Sequence, residues 1–309
     1  RFHFTVAATH SGDFEQALAA YSASSNGSVE VHFSTQHPST DTLAVDLDGN
    51  PFRHDDGSLL LRPGGHGALL ANLGELGGDI VLVKNIDNVV REPLQLEVAL
   101  WKRLLVGLTV SLESTISTLV AKLAEGREGA ASQALEFVRN ELGDRAVEAM
   151  ANLEEGELRT AMQGRLARPL RVCGVVLNEG EPGGGPFWAV DSSGSASLQI
   201  VEASEVDLDA PGQRQIWGAA THFNPVDLVL SLRDPGGQPY DLTRYTDENR
   251  VFVARKTHRG RPLLALERPG LWNGGMAGWN TVFVEVPAET FAPVKTVLDL
   301  LRPAHRAGT

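Results

Sequence analysis

Apolar and polar positions along this chain follow first a mixed period, then a helical one, then a strand-like one. Residues 2–6 read as a strand and 12–23 as a helix capped by Ser11 or Asp13. Residues 29–34 read as a second strand. The stretch 46–57, rich in Asp, Gly, Asn and Pro, predicts turns around a short hairpin. Residues 67–73 predict a helix, and 79–83 a strand whose unbroken apolar character suits a parallel sheet. Between 93 and 165 the period turns helical, with Leu94, Val98, Leu100, Trp101, Leu104, Leu105 and Leu108 forming one stripe. Glycines at 126, 129 and 143 break the remainder of this segment into further helices. From Arg168 strands return at 171–177, 187–190, 197–202, 222–232, 251–257, 263–267 and 281–286. A closing helix over 291–301 has Pro293 in its first turn. The resulting organisation is α/β: one part of the core over 1–92, a helical insertion over 93–167, and a second part of the core over 168–309.

Composition narrows the function classes. Of 309 residues, 42% are hydrophobic and 21% charged, enough to bury a core. A net charge of −12 argues against a nucleic-acid partner or an anionic membrane, either of which would want a basic face. It leaves room for one phosphorylated metabolite met by a few local cations. A single cysteine, Cys173, allows neither an internal disulfide nor a cysteine-rich zinc site, and a reducing, cytoplasmic compartment is the expectation. No apolar run of membrane-spanning length and no secretory signal is evident. The chain opens at Arg1 directly into strand-like sequence, which suggests a fragment. Nothing in the sequence bears on oligomeric state.

Two motifs about twenty residues apart carry the candidate chemistry. Arg62-Pro63-Gly64-Gly65-His66-Gly67-Ala68-Leu69 is a glycine-rich turn before a helix, where exposed N–H groups could meet a phosphate or a base carbonyl. A plain glycine turn explains it equally well. Lys84-Asn85-Ile86-Asp87-Asn88 ends the apolar run 80–83. A carboxylate at a strand end can hold Mg²⁺ or a ribose hydroxyl, and Asp87 could also be a turn residue. Glu202 ends another strand, and His222 and Asn224 are polar groups among apolar neighbours. Lys295 lies at the start of the closing helix, whose N-terminus, with the ammonium, would clamp phosphate, or it is an ordinary solvated lysine. The acidic loop 179–186 could close over a ligand or simply connect strands. Trp272 and Trp279, set among glycines, could form a stacking wall or a packed loop.

Taken in order, Gly65-His66-Gly67, Asn85-Ile86-Asp87-Asn88, Val201-Glu202 and Pro293-Val294-Lys295-Thr296 with Asp299-Leu300-Leu301 resemble the UTP–sugar-1-phosphate uridylyltransferases. Most of the chain outside the helical middle resembles, more closely, a bacterial family termed domain of unknown function 4301. The resemblance implies a nucleotide-diphospho-sugar transferase fold, a Rossmann-like mixed sheet with helices on both faces. It implies nucleotide binding at Gln36, Gly64, Gly65, His66, Gly67, Asn85 and Asp87, with Gln36 and the glycine backbone on the base. Sugar contacts would fall to Glu202, His222 and Asn224, a metal (Mg²⁺) to Asp87, and phosphate to Lys295. The implied partners are a small-molecule nucleotide and a sugar phosphate, and the implied reaction is transfer of a nucleotidyl group, with uracil the expected base, releasing pyrophosphate. Asp87 and Lys295 are its expected catalytic residues. The uridylyltransferases also carry a glycine-rich loop with an arginine near the amino terminus, which is not found here upstream of Phe2. A non-catalytic nucleotide- or nucleotide-sugar-binding domain is the alternative, and a glycosyltransferase would want a closely spaced acidic pair that residues 85–88 lack.

Overall fold

A computed structural model describes residues 1–24, 29–180, 183–190 and 194–306. In chain order the elements are β1 (Phe2–Thr5), α1 (Ser11–Ser24), β2 (Val31–Ser34), β3 (Thr42–Val45), β4 (Leu61–Arg62), α2 (Leu69–Glu75) and β5 (Ile80–Lys84). The helical middle is α3 (Glu92–Ala124), α4 (Ala130–Asn140) and α5 (Glu155–Leu166). Next come β6 (Leu170–Leu177), β7 (Gly185–Val190), β8 (Ala196–Val201), α6 (Pro211–Gly218) and β9 (His222–Ser231). The last strands are β10 (Phe252–His258), β11 (Arg261–Glu267) and β12 (Asn280–Glu285).

These elements form two compact units that interleave in sequence, one of residues 1–77 with 241–276 and the other of 78–240 with 277–309. They interleave because β11 returns from the far end of the chain to pair with β3, Leu264 opposite Val45 and Ala265 opposite Ala44.

In the first unit, β1 and β2 pair in parallel, and Phe4, Phe14 and Phe33 pack their rings 5.9–6.3 Å apart between this sheet and α1. A separate antiparallel sheet, β10-β11-β3-β4, buries Ala44, Phe52, Leu60, Leu263 and Ala265.

In the second unit the sheet order is β12-β6-β9-β5. β6 and β12 are parallel, but β5 runs antiparallel to β9 from Ile80 opposite Ser231 to Lys84 opposite Asp227. The expectation of a parallel strand at 79–83 is thereby corrected. Its apolar run reflects partial burial of both faces at a sheet edge, which short apolar runs do not distinguish from a parallel interior. β6 and β9 are buried almost throughout.

The three helices of the middle segment close over this sheet. Leu105, Leu112, Ile116, Leu119 and Leu123 of α3 join Ala134 and Val138 of α4, Met162 and Leu166 of α5, and Val172 and Val229 of the sheet in one core. Only Leu105 of the stripe expected from sequence is fully buried; Leu100, Leu104 and Leu108 are exposed, as is Leu96 one turn before Leu100. The buried face runs through 105, 109, 112, 116, 119 and 123, and α3 packs against β6, β9, α4 and α5. α3 is also long and apolar enough to cross a membrane by length and composition. The expectation that no stretch reaches that length is corrected; Ser and Thr spaced through the helix interrupt any continuous apolar run.

Two substitutions test which face of α3 is structural. Leu105→Ala should cost about 2–5 kcal/mol in urea denaturation, as large-to-small core changes do. Leu100→Ala should stay within about 0.5 kcal/mol of the parent.

Candidate functional site

The backbone after β5 is held by one amide side chain. Asn88 is buried; its Nδ2 donates to the Thr290 carbonyl (3.1 Å) and its Oδ1 accepts the Ala292 N–H (2.8 Å). Two backbone bonds extend the joint. Val89 N–H donates to the Ala292 carbonyl (3.2 Å), and Val294 N–H donates to the Asp87 carbonyl (2.8 Å). Asp87 and Lys295, 208 residues apart in sequence, thus stand on adjoining backbone segments. Both Asn85 and Asp87 lie in this turn, where the Asn85 carbonyl accepts the Asn88 N–H (3.3 Å).

The same joint corrects the expected closing helix. Pro293 forms an isolated antiparallel bridge with Asn88, so residues before Thr296 are extended. After them come short 3-10 turns, the first of them, Val297–Leu301, capped by Thr296 and Asp299. Asp299 Oδ2 accepts the N–H groups of Thr296 (2.7 Å) and Lys295 (3.0 Å), and the Thr296 N–H is the main influence holding that carboxyl below its ordinary pKa. A five-residue turn provides no helix-terminal anion site, so any phosphate affinity at Lys295 rests on its exposed ammonium.

Three charged residues, Lys84, Lys102 and Asp227, were assigned no role from the motifs, although Lys84 opens the one that holds Asp87. Lys102 of α3 donates to Asp227 Oδ1 at 2.5 Å, and Asp227 is nearly inaccessible. Lys84, last residue of β5, stands directly opposite Asp227 across the sheet. Burial, and after it the nearby Lys102 charge, lowers the Lys84 pKa, while Asp227 and Asp87 act in the other direction. Asp227 sits beside a β-bulge between Gly174 and Val176. There Val226 adopts φ 59°, a conformation strained for a β-branched residue. Asn224 holds this bulge: its Nδ2 donates to the Gly174 carbonyl (2.9 Å) and its Oδ1 accepts the Val226 N–H (3.2 Å). Its side chain is thus buried and engaged with backbone. His222 pairs with Glu285 (2.8 Å) and Thr221 (2.8 Å), and Glu202 takes part in a local capping box with Glu205. In the loop 179–186, Glu181 and Pro182 lie outside the described residues, and Gly185 already belongs to β7, pressed against the His222 carbonyl.

The first unit carries a cleft of about 410 Å³, within the usual range of small-molecule sites. Gln36, Arg62, Gly65, His66, Lys256 and Glu267 line it. Gln36 Nε2 donates to Thr40 Oγ1 (3.1 Å) and Asp41 Oδ1 (3.3 Å). Gly65 has φ 75°, and a Cβ there would meet Glu267 Oε2 at 2.6 Å. Gly67 lies so close to the Pro269 carbonyl that no side chain fits, and Gly64 abuts the Thr40 carbonyl. These glycines therefore let the turn pack against neighbouring backbone as well as border the cleft. His66 Nδ1 accepts the Leu271 N–H (3.0 Å), which makes Nε2 its protonated nitrogen, and its ring stacks on Trp272 at 4.2 Å. Trp279 is buried in the other unit, so the two tryptophans are not a shared wall in either one. Lys256 and Glu267, an ion pair at 2.9 Å, went unnoticed in the sequence because neither sits in a motif; β10 and β11 pair to bring them to the cleft.

Among the described residues no group of three or more His, Cys, Asp or Glu side chains could hold a metal. Cys173 is buried and its pKa is pushed up to about 11, so it is a protonated thiol rather than a nucleophile.

Residues 1–306 match the family described as domain of unknown function (DUF4301). The chain belongs to this family. Solved structures similar to this DUF4301 chain include a mutant of UDP-glucose pyrophosphorylase from Leishmania major in complex with UDP-glucose, at 18% identity and TM-score 0.49, over 97% of this chain and 54% of that one. UDP-glucose phosphorylase from Trypanosoma brucei is similar at 16% identity and TM-score 0.45, over 97% and 53%. The DUF4301 chain spans about half the length of these structures. A comparison with curated proteins finds no match.

Asn88→Ala would strand a buried carbonyl and a buried N–H. A loss of about 1–3 kcal/mol in urea denaturation is expected.

Proposed function

We propose that this protein is the nucleotide-handling part of a nucleotidyltransferase that joins a nucleotide, UTP first among candidates, to a sugar 1-phosphate and releases pyrophosphate. The observation that carries this reading is the Asn88 joint, which sets Asp87 and Lys295 on adjoining segments at the end of β5. Ends of sheet strands are where open α/β folds bind ligands. The motifs holding these residues are those that resemble the uridylyltransferases.

In this reading an oxygen of the sugar 1-phosphate attacks the α-phosphorus, the new P–O bond forms, and the bond to the bridging oxygen breaks with pyrophosphate leaving. Such transfer is governed by positioning and charge rather than by proton shuttling. Lys295 binds phosphate oxygens. Asp87 offers one carboxylate to Mg²⁺. That fits an ion carried in on nucleotide phosphates, which needs only one or two protein carboxylates, better than a resident ion with its own cage. Bound there, Mg²⁺ would supply charge neutralisation of the phosphates. The cleft of the first unit, bordered by Gln36 and Gly65, is a candidate base site in its own right. His222 and Glu202 remain candidates for the sugar, whereas Asn224 would first have to give up its hold on the bulge.

Calorimetry with UTP and Mg²⁺ tests the assignment. Asp87→Ala should weaken binding at least tenfold, about 1.4 kcal/mol. Unchanged affinity would remove Asp87 from the site. Pyrophosphate release with glucose 1-phosphate separates an enzyme from a binding domain, which would bind without turnover.

A further inference from the structure

We propose that Lys84 is a phosphoryl-binding residue, left unpartnered by the neighbouring Lys102–Asp227 pair. The inference rests on the nucleotidyl-transfer reading for its setting and on independent geometry for its content.

Lys84 and Asp227 are directly opposed in an antiparallel pair, and such residues share a face of the sheet with their Cβ atoms about 4.5–5.5 Å apart. Left alone they would form a cross-strand ion pair. Lys102 intervenes from α3 and takes Asp227 Oδ1 at 2.5 Å, with both side chains largely shielded from water. The pair is anchored on both sides. The bulge held by Asn224 lies against Asp227, and Leu105, one turn beyond Lys102, packs against Gly174. Among the described residues the Lys84 ammonium makes no hydrogen bond or ion pair.

Lys84 is exposed to solvent, and its ammonium, beside a carboxylate already committed elsewhere, is open to an incoming anion. Its sequence position adds direction, since Lys84 lies three residues before Asp87 and ends the strand from which the Asp87 turn begins. A phosphate whose metal ion rests on Asp87 would present its remaining oxygens to Lys84. The ligand chemistry is therefore a phosphoryl group, either from the nucleotide or from the sugar 1-phosphate. Lysine serves this purpose as a point charge that can track the phosphate.

Calorimetric titration of the chain with uridine, magnesium pyrophosphate and glucose 1-phosphate tests the inference, with circular dichroism confirming that each variant folds. Lys84→Gln should weaken at least one of the two phosphate probes tenfold or more and leave uridine unchanged. Loss confined to pyrophosphate assigns the nucleotide side, and loss confined to glucose 1-phosphate the sugar side. Lys84→Arg should retain most of the affinity. Lys102→Met should weaken the same probe, because Asp227 is then free to neutralise Lys84, and Lys102→Met with Asp227→Asn should restore it; a merely structural pair would show no such restoration. Undiminished binding of both phosphates by Lys84→Gln overturns the inference, as does a parent chain that binds neither. Failure of the parent to bind uridine, with phosphate binding still sensitive to Lys84, counts against the nucleotide reading and supports the role of Lys84.

Discussion

A strand buried on both faces must satisfy its backbone within the sheet, and β9 is the strand on which this requirement falls most heavily. It pairs with β6 along one edge and β5 along the other. That double pairing makes β5 antiparallel and sets the register that puts Lys84 opposite Asp227. It also leaves β9 extending past the end of β5, where it pairs with β6 alone through Phe223 and His222. The bulge in that region needs a polar side chain to replace a missing ladder bond, and Asn224 supplies it. The strain at Val226 is held in place by the same contacts, beside the charged cluster.

The second unit joins distant pieces of chain through polar groups as well as through its apolar core. Asn88 accepts and donates across a gap of more than two hundred residues, and the backbone of Asp87 and Val89 extends the same joint. An amide with both ends bonded gives a directional joint that apolar packing could not, because apolar contact has no preferred angle. The Lys102–Asp227 pair has a similar character. A shielded ion pair contributes little net stability against its desolvation cost, so its value lies in where it leaves the surrounding charges. In the first unit the cleft is framed by close backbone approach. Gly64, Gly65 and Gly67 admit Thr40, Glu267 and Pro269 to positions that any side chain would fill.

Much of the element order was legible in residue patterns. β1, α1, β6 and β12 begin and end within two residues of their expected bounds, since each couples a clear period to flanking turn residues. The helical middle was legible for the same reason. β3 and β4 were not, because strands of four and two residues are too short to show a period, and β3 also pairs with the distant β11. The stripe on α3 was right only in part: Leu105 is buried and Trp101 packs against the core, whereas Leu100, Leu104 and Leu108 are exposed. Leucines at 96, 100, 104 and 108 repeat with helical spacing yet stay exposed, and spacing alone does not say which face a sheet will cover. In the candidate site, Asp87, Lys295 and the glycine turn stood out because they occur in compact motifs. Lys84 lay inside a motif without attracting a role, and Lys102, Asp227, Lys256 and Glu267 had no motif at all.

The sequence by itself determined the helical and strand-forming stretches, the glycines on which the turn at 62–69 depends, and membership of DUF4301, because these arise from local sterics, periodicity and residue order. Tertiary structure decided the direction of β5, the interleaving of two units, the extended approach to Lys295 and the committed state of Asp227. Each of these turns on which of several distant backbone or charged partners a group takes. That choice is made by the pairing of buried hydrogen-bonding groups in three dimensions, and a linear pattern does not contain it.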